Sequence, residues 1–308
     1  MALLVAPQPG TGDVWRRAFA AAMPELEVRV WPEVGDPAAI DIAAVGAMPA
    51  GALAKLPNLR LILSLTAGVD TLLSDPSLPD VPIARTADPD GDAMMNETAL
   101  LHVLRHHRSM PDYLAAQQRG DWIRRPIKAA RERPVGVMGL GSVGLAIAKT
   151  LASIGFPVAG WVRQPRSVDG VEIFSGREEF NAFLGRSEIL LNLLPLTPQT
   201  HGIVNAAMLK ALPKSAAFIN LGRGDHVVEA DLIAAIDSGH LAAATLDVYP
   251  VEPLPKDSPL WRHPKITVMP HVARRLVPEE VATRICAMIR DFRAGIPLAQ
   301  AVDRKRGY

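Results

Sequence analysis

Short apolar runs alternate with helical patterns along the whole chain, and this alternation constrains the fold more than any other feature. Apolar runs of strand length, each separated by turn or helical sequence, predict an α/β unit with a mainly parallel sheet. In the first part of the chain the predicted strands are LLVA (3–6), VRVW (28–31), IAAV (42–45), LRLILSL (59–65) and VPIA (81–84).

A second series of strands and helices begins at Pro134. It predicts a complete Rossmann-like domain, in which ligands bind at the carboxyl ends of the strands. A helical stretch near Asp92 precedes it, with Asp92 as a suitable N-cap and Pro111 as a point where the helix kinks or splits. The predicted strands are VGVMGL (135–140), VAGWV (158–162), EILLNLL (188–194), AAFINLG (216–222), AAATLDV (242–248) and KITVMP (265–270), and the predicted helices cover 142–155, 177–185, 205–212 and 228–238.

The length of 308 residues exceeds the usual size of one compact core and therefore predicts two domains. We expect the last helix, roughly 278–294, to return to the first unit. The prediction is an α/β protein with two Rossmann-like or flavodoxin-like domains, mainly parallel sheets and a cleft between them. Residues 1–92 plus 282–308 would form a discontinuous substrate-binding domain, and residues 93–281 an NADP-binding Rossmann domain.

The charges nearly balance, with 33 Lys and Arg against 32 Asp and Glu and a net charge of +1. This balance argues against a general nucleic-acid or membrane-surface binder. No run approaches the roughly 20 apolar residues that span a bilayer, and the apolar start predicts a strand rather than a signal peptide. The single cysteine, Cys286, excludes an internal disulfide and fits a reducing compartment, so we expect a cytoplasmic protein.

The segment GLGSVG (139–144) follows one predicted strand and opens a helix, which is the context of a dinucleotide fingerprint. Gly139 permits the tight turn, Gly141 lets the backbone approach a pyrophosphate, and Gly144 allows close packing of helix and strand. The helix N-terminus supplies N–H groups and a positive potential. This segment predicts a bound dinucleotide.

The next strand ends in GWVRQPR (160–166), where NAD-binding folds place an acidic residue on the ribose 2′-hydroxyl. Val162 takes that position, and Arg163 and Arg166 follow it. Because a guanidinium binds two phosphate oxygens at once, we predict that NADP(H) is preferred and that NAD(H) binds more weakly. Arg163 lies nearest the strand end, whereas Arg166, beyond Pro165, either reaches in or points into solvent.

Three more polar residues follow strand ends of the same series: Arg223, Glu252 and His271. Together they suit the reduction of a carbonyl. The guanidinium anchors a substrate carboxylate and polarises the keto oxygen. The imidazolium donates a proton as hydride arrives at carbon, while the carboxylate orients the ring and stabilises its charged form.

The segments GLGSVG, NLGRGDHVVE, LDVYPVEPLP and MPHVA closely resemble the D-isomer-specific 2-hydroxyacid dehydrogenase family over nearly the full length. The segments DYLAAQQRGDW, LLNLLPLTPQTHGIV and SPLWRHP look most like its glyoxylate/hydroxypyruvate reductase A branch. The resemblance implies Arg223, Glu252 and His271 as catalytic residues and a homodimer formed through the cofactor domains. It also implies that the two domains close over the substrate.

The resemblance further implies that the backbone amides of Ala67, Gly68 and Val69 bind the substrate carboxylate, together with Arg223 and His271. Asp247 would bind the nicotinamide carboxamide. The full set of expected cofactor contacts is Gly139, Leu140, Gly141, Ser142, Val143, Gly144, Trp161, Val162, Arg163, Arg166, Leu193, Leu194, Pro195, Leu221, Gly222, Asp247 and Ala273.

The chain departs from the family pattern at two places that bear on the substrate. Arg274 and Arg275 follow PHVA, where the family commonly has alanine, and would add charge near the mouth of the site. Gly46 stands near a position where reductase relatives can carry a tryptophan, and the lost bulk could admit a larger 2-oxo acid.

We expect no metal site. His102 and His106 have helical i, i+4 spacing but no accompanying carboxylate motif, so a role on the helix surface or in a dimer interface is favoured, with His107 adjacent. The segment DPDGD (88–92) resembles the start of a calcium loop, but Ala99 stands where a bidentate Glu is required. A turn between domains is the better interpretation, and Cys286 is expected to be a buried packing residue.

The sequence therefore predicts NADPH-dependent reduction of glyoxylate to glycolate and of hydroxypyruvate to D-glycerate, with His271 as general acid. One alternative is a reductase of bulkier 2-oxo acids, such as branched-chain or aryl pyruvates. Another, of a different class, is a nucleotide-sensing corepressor or scaffold without catalysis. No partner beyond a small 2-oxo or 2-hydroxy acid and a second copy of the chain is predicted.

Overall fold

The computed structural model describes residues 2–86 and 92–307. The chain divides into two compact units, one formed by Met1–Ala87 and Leu276–Tyr308 and the other by Asp88–Arg275. Each unit contains one parallel sheet covered by helices, which confirms the predicted α/β fold class. Within the described residues no helix is both long and apolar enough to cross a membrane.

The first unit contains a five-stranded sheet whose central strands are buried along their whole length and are mostly apolar, as expected of parallel strands covered on both faces. Its strands are β1 (Ala2–Ala6), β2 (Glu27–Val30), β3 (Ile40–Val45), β4 (Leu61–Ser64) and β5 (Ile83–Arg85), and its helices are α1 (Gly12–Ala22), α2 (Asp70–Leu73) and α9 (Pro278–Arg293). The strand order is β2-β1-β3-β4-β5, and every neighbouring pair is parallel.

The C-terminal helix α9 belongs to the core of this first unit. Its apolar side packs with α1, so that Phe19 and Ile285 are both fully buried in one cluster. Val281 and Ala282 are buried in the same cluster. The boundary that the sequence predicted between residues 281 and 282 therefore falls inside a helix that packs as one piece, and the units divide at residues 275 and 276 instead.

The second unit contains a seven-stranded parallel sheet. Its strands are β6 (Val135–Met138), β7 (Val158–Val162), β8 (Val171–Ser175), β9 (Ile189–Asn192), β10 (Ala216–Asn220), β11 (Leu241–Leu246) and β12 (Ile266–Val268). Its helices are α3 (Ala93–His107), α4 (Met110–Arg119), α5 (Ser142–Ser153), α6 (Phe180–Arg186), α7 (Ala206–Ala211) and α8 (Glu229–Asp237).

The strand order of this sheet is β12-β11-β10-β9-β6-β7-β8. Successive strands run outward from β6 on one side and from β9 on the other, so the order reverses between β6 and β9. In open parallel sheets the loops that leave such a switch point diverge and form a crevice for ligands. The glycine segment after β6 and the segment that begins at Leu193 after β9 leave at this point.

The sequence prediction missed the edge strand β8. Only its first residue, Val171, is buried, and β8 pairs with β7 alone. An edge strand with one covered face lacks the continuous apolar run that marks the buried strands, so periodicity does not reveal it.

The helical stretch after Asp92 is split, as its proline indicated. Asp92 is the N-cap of α3, and its Oδ1 accepts a hydrogen bond of 3.0 Å from the Met95 amide. Ser109 adopts a left-handed conformation with φ of 53° between α3 and α4, and Pro111 lies in the first turn of α4, where proline is tolerated. Apart from Asp92, the segment DPDGD lies outside the described residues.

Asp92 also forms an ion pair that the sequence did not predict. Its Oδ2 lies 2.5 Å from Nε of Arg274, and the two side chains are only 14% and 19% exposed. Arg274 thus attaches the segment after β12 to the start of α3 and presents no unpaired charge, whereas Arg275 is exposed. The expectation of added charge applies to Arg275 alone.

We predict that Arg274→Ala lowers the free energy of unfolding by about 1–3 kcal/mol, between the effects of exposed and fully buried ion pairs. The variant leaves a largely buried carboxylate without its cationic partner, although the Met95 amide still donates to it. Arg275→Ala, the matched control, should change the same quantity by less than about 0.5 kcal/mol. Urea unfolding followed by circular dichroism measures both, and equal effects would contradict this role for Arg274.

Candidate active site

The glycine segment after β6 is shaped by two close approaches of backbone. Gly139 has a φ of +90°, and a Cβ there would lie 2.8 Å from the carbonyl oxygen of Leu193. A Cβ at Gly144 would overlap the carbonyl oxygen of Gly139. Any side chain at either position would therefore push the turn, α5 and the segment after β9 apart.

Gly141 differs from its two neighbours because nothing lies within 4 Å of the position that its Cβ would take. This residue is the N-cap of α5, and as a glycine it has no side chain with which to cap the helix. The first N–H groups of a helix have no partner within the helix and attract anions. The open space and the uncapped helix end together fit a pyrophosphate, as the fingerprint predicted.

The segment GWVRQPR leaves β7 beside this turn. Nε1 of Trp161 donates a 2.7 Å hydrogen bond to the carbonyl of Gly176, and its ring packs on Phe180. The guanidinium of Arg166 donates from Nη2 to the carbonyl oxygen of Leu140, inside the glycine segment. The sequence left open whether Arg166 reaches in or points into solvent, and the structure shows it against the turn. Arg163 is exposed at the end of β7.

His271 and Glu252 form a pair after β12 and β11. Nδ1 of His271 lies 2.6 Å from Oε2 of Glu252, and the other carboxylate oxygen accepts a 2.9 Å hydrogen bond from the Tyr249 amide. The histidine side chain is 53% exposed and has a φ of 52°, a left-handed conformation that aims it away from the line of the strand. Its Nε2 is the nitrogen that Glu252 leaves for other chemistry.

Buried polar side chains hold this pair in place. Asp247 accepts hydrogen bonds of 2.8 and 2.9 Å from the amides of Val272 and Ala273, directly after His271, and burial raises the pKa of its carboxyl group. The hydroxyl of Tyr249 donates to the carbonyls of Leu246 and Met269, and burial raises its pKa. The structure thus gives Asp247 backbone partners, and its contact with a nicotinamide stays a prediction.

Arg223 follows β10 and is held by side chains that the sequence analysis missed. Its carbonyl accepts a 2.9 Å hydrogen bond from Asn220, and its amide donates to Nδ1 of His226 at 3.2 Å. Its own guanidinium donates from Nη1 to the Gly222 carbonyl. One sequence feature could have indicated these supporting side chains. Each of the two adjacent strands ends in an asparagine, Asn192 in β9 and Asn220 in β10.

The loops that carry Arg223 and Glu252 are in contact. A Cβ at Gly224 would overlap the backbone of Tyr249 and Pro250, so the two loops pack with no room for a side chain. Asp247 connects the second loop to the segment of His271. The structure therefore brings the loops of the three predicted catalytic residues together at the carboxyl ends of β10, β11 and β12.

In the first unit, Ala67, Gly68 and Val69 form the turn between β4 and α2. The hydroxyl of Thr66 donates a 2.8 Å hydrogen bond to the carbonyl of Gly68, and the hydroxyl of Ser64 donates to the carbonyl of Thr66 at the same distance, which orients both peptides. Across residues 2–86 and 92–307, the amides of the three turn residues donate no hydrogen bond. Such amides are available to an anion.

The three histidines of α3 are buried, which corrects the expectation of a surface position. Nε2 of His106 lies 2.9 Å from the Thr245 hydroxyl, and burial lowers the pKa of His106 to about 3. Burial also lowers the pKa values of His102 and His107. No group of three possible metal ligands occurs in the described ranges. Cys286 is buried, as expected of a packing residue.

We predict that Gly144→Ala lowers the free energy of unfolding by more than about 2 kcal/mol, because the new methyl group meets a backbone carbonyl that cannot move independently. Gly141→Ala is the control, since its methyl group enters open space at an ordinary φ of −62°. Its effect should stay within about 1 kcal/mol, the usual range at a helix N-cap. Thermal and urea unfolding without cofactor measure both variants, and similar values would contradict this account of the turn.

Proteins of known family are similar to this chain in sequence and in structure. The NAD binding domain of the D-isomer specific 2-hydroxyacid dehydrogenases matches residues 100–273. A glyoxylate/hydroxypyruvate reductase A of Salmonella newport is 42% identical over 300 residues, or 96% of each chain. A D-isomer specific 2-hydroxyacid dehydrogenase of Xanthobacter autotrophicus, solved with NADPH and MES, is 45% identical with a TM-score of 0.95 and covers 100% of this chain and 99% of that one.

A second solved structure is the NADPH-dependent glyoxylate/hydroxypyruvate reductase of Sinorhizobium meliloti in complex with NADP and sulfate. It is 35% identical, has a TM-score of 0.93, and the match covers 100% of both chains. These similarities confirm the family indicated by the glycine segment and by the motifs around Arg223, Glu252 and His271. The chain belongs to the D-isomer specific 2-hydroxyacid dehydrogenase family and is an NAD(P)-dependent oxidoreductase of that family.

Proposed function

We propose that this dehydrogenase uses NADPH to reduce small 2-oxo acids, glyoxylate to glycolate and hydroxypyruvate to D-glycerate. The observation that carries the proposal is the pair of His271 and Glu252, held beside the loop of Arg223 at the carboxyl edge of the sheet. Related proteins named glyoxylate/hydroxypyruvate reductase support the choice of substrates.

The preference for NADP(H) rests on the charge at the end of β7. GWVRQPR contains no carboxylate to bind a ribose 2′-hydroxyl, and it places Arg166 on the glycine turn with Arg163 nearby. A guanidinium favours the 2′-phosphate that distinguishes NADP from NAD. Two related structures were solved with NADPH or NADP. NAD(H) is expected to bind more weakly. The other cofactor contacts expected from the sequence remain part of the proposal.

The substrate carboxylate would be bound by the amides of Ala67, Gly68 and Val69 and by the guanidinium of Arg223. The amides have no competing acceptor in the described part of the chain, and a carboxylate matches two N–H donors or one guanidinium fork. Arg223 also polarises the keto group, because its positive charge stabilises negative charge that develops on the oxygen.

The reaction assigns a separate task to each catalytic residue. A bound reduced nicotinamide supplies the hydride to the keto carbon. His271 donates a proton from Nε2 to the keto oxygen, and in the reverse direction the same nitrogen accepts it. Glu252, at 2.6 Å from Nδ1, orients the ring and stabilises its cationic form. Arg223 remains charged throughout and holds the substrate.

A bulkier 2-oxo acid is the second candidate substrate, and Gly46 favours it. The Cβ position of Gly46 lies 3.3 Å from Cδ1 of Leu65 and 3.4 Å from the carbonyl oxygen of Ala6. Comparing kcat/KM for glyoxylate, hydroxypyruvate and branched-chain or aryl pyruvates with NADPH separates the candidates. If none of these 2-oxo acids is reduced, the alternative of a non-catalytic corepressor or scaffold is favoured.

A homodimer formed through the cofactor-binding unit is part of the proposal. Apolar side chains are exposed on α3 and in the segment after α4, among them Leu101, Ile127 and Trp122, which is 90% exposed. Sedimentation equilibrium tests it, and a monomer at micromolar concentration would rule it out.

A cytoplasmic location is also proposed, because the single cysteine of the chain, Cys286, is a buried free thiol. Cell fractionation tests that location.

We expect His271→Ala to lower kcat for glyoxylate reduction by about 10²–10⁴-fold, the usual contribution of a general acid. The dissociation constant for NADPH, measured by fluorescence titration, should change less than about twofold, because the proton donor acts on the substrate. His263→Ala is the matched control, since His263 also pairs with a carboxylate, Asp237, at 3.2 Å. Full activity of His271→Ala would overturn the assignment.

We expect the double variant Arg163→Ala, Arg166→Ala to raise KM for NADPH at least about tenfold and to change KM for NADH far less. NADH lacks the 2′-phosphate that the two guanidinium groups are proposed to bind, whereas loss of the hydrogen bond from Arg166 to the Leu140 carbonyl affects both cofactors alike. Arg262→Ala removes an exposed arginine elsewhere in the same unit and serves as the control. If NADPH and NADH respond equally, the two arginines do not select the cofactor.

A further inference from the structure

Three fully buried polar side chains, Asn192, Asn220 and His226, lie beneath the loop of Arg223. We propose that the imidazole of His226 is a positioning residue, held in one tautomer, that aims Arg223 at the substrate and couples it to the segment after β9. The inference rests on the proposed function, because it assumes that Arg223 acts on the substrate.

The partners of the ring determine where its proton lies. Nδ1 of His226 is 2.9 Å from the amide nitrogen of Asn192 and 3.2 Å from the backbone nitrogen of Arg223. Nε2 is 3.3 Å from the carbonyl oxygen of Pro195. Donors face Nδ1 and an acceptor faces Nε2, so the neutral ring with its proton on Nε2 matches these contacts.

The orientation of the Asn192 amide, on which this argument depends, is itself determined by its neighbours. Its Nδ2 lies 2.9 Å from Oδ1 of Asn220, and its Oδ1 accepts a hydrogen bond from the Leu194 amide. A flipped amide would place oxygen against oxygen and N–H against N–H. Asn192 therefore presents a donor to His226.

The same network holds the peptide groups on both sides of Arg223. His226 accepts from the Arg223 amide, Asn220 donates to the Arg223 carbonyl, and Oδ1 of Asn220 accepts from the Gly222 amide. A Cβ at Gly222 would lie 3.2 Å from Nδ1 of His226, so this glycine lets the backbone approach the ring. The direction of the Arg223 side chain follows from peptide groups that are fixed in this way.

The ring also reaches the segment after β9 through the Pro195 carbonyl. Leu193, Leu194 and Pro195 are the residues proposed to pass beside the cofactor. One imidazole therefore connects the backbone of the substrate-binding arginine to the backbone beside the cofactor. A displacement of about 1 Å at a positioned group can lower a rate 100-fold, so this connection bears on turnover.

The test uses three variants of the full chain, assayed with NADPH and glyoxylate. His226→Phe keeps the ring volume and removes both nitrogens. His226→Asn places an amide oxygen near the position of Nδ1, and His226→Gln extends its amide toward Pro195 instead. We expect kcat to fall about 10- to 100-fold in His226→Phe, to recover mostly in His226→Asn and to stay low in His226→Gln. KM for NADPH should change less than about twofold.

A double-mutant cycle with Arg223→Ala separates positioning from general support of the fold. If His226 acts through Arg223, His226→Phe should lower the residual kcat of Arg223→Ala less than about twofold. A merely structural role predicts the same factor in both backgrounds. In the NADPH-bound wild-type enzyme, ¹⁵N NMR of the ring should show the proton on Nε2 of His226.

Four results would overturn the inference: wild-type kcat in a folded His226→Phe variant, an equal loss in the Arg223→Ala background, the Nδ1–H tautomer, or equal kcat in His226→Asn and His226→Gln. If His226→Phe does not fold, the comparison of kcat between His226→Asn and His226→Gln and the NMR signal of the wild-type ring test the inference. Full turnover of Arg223→Ala would instead overturn the proposed role of Arg223, which the single variant reveals without reference to His226.

Discussion

The parallel alignment of the seven strands in the second unit is the constraint on which the rest of the site depends. All seven strands end at the same edge, and the order reverses between β6 and β9. Backbone groups that leave a buried strand end must find new hydrogen-bond partners, because an unpaired buried amide or carbonyl is costly. At this edge several of the partners are side chains, namely those of Asn192, Asn220, Asp247 and Tyr249.

The need for partners explains why rigid support and chemistry occur in the same place. Asp247 is buried, its carboxyl pKa is raised by that burial, and two backbone amides after His271 donate to it. Glu252 is bound by the Tyr249 amide on one oxygen and by His271 on the other. The segments of Arg223 and His271, both proposed to touch the substrate, are thus held by buried side chains at strand ends.

Much of this architecture could be predicted because it depends on local pattern. The strand β7, Val158–Val162, has the predicted bounds, and Asp92 caps α3 as its position before the helix indicated. The glycine segment could be interpreted residue by residue, because Gly139 and Gly144 are required by contacts within one strand–turn–helix unit. The edge strand β8 was missed because it has little buried surface.

Contacts between residues distant in sequence could not be predicted. The pairing of Arg274 with Asp92, the buried positions of His102 and His106, and the network around His226 all depend on which elements become neighbours. A histidine or arginine carries the same local signal whether it faces solvent or a buried partner. Sequence pattern specifies which face of an element is apolar, but it does not specify which polar groups meet across the core.

The sequence by itself determined the α/β class, the dinucleotide turn, the absence of an acid after β7 and the three loops that carry Arg223, Glu252 and His271. These follow from residue types at short spacings, where chain geometry leaves few choices. The tertiary structure decided that α9 packs as a whole on the first unit, that Arg166 lies on the glycine turn, and that His226 supports Arg223. Those outcomes depend on packing and on hydrogen-bond partners that only the folded chain brings within reach.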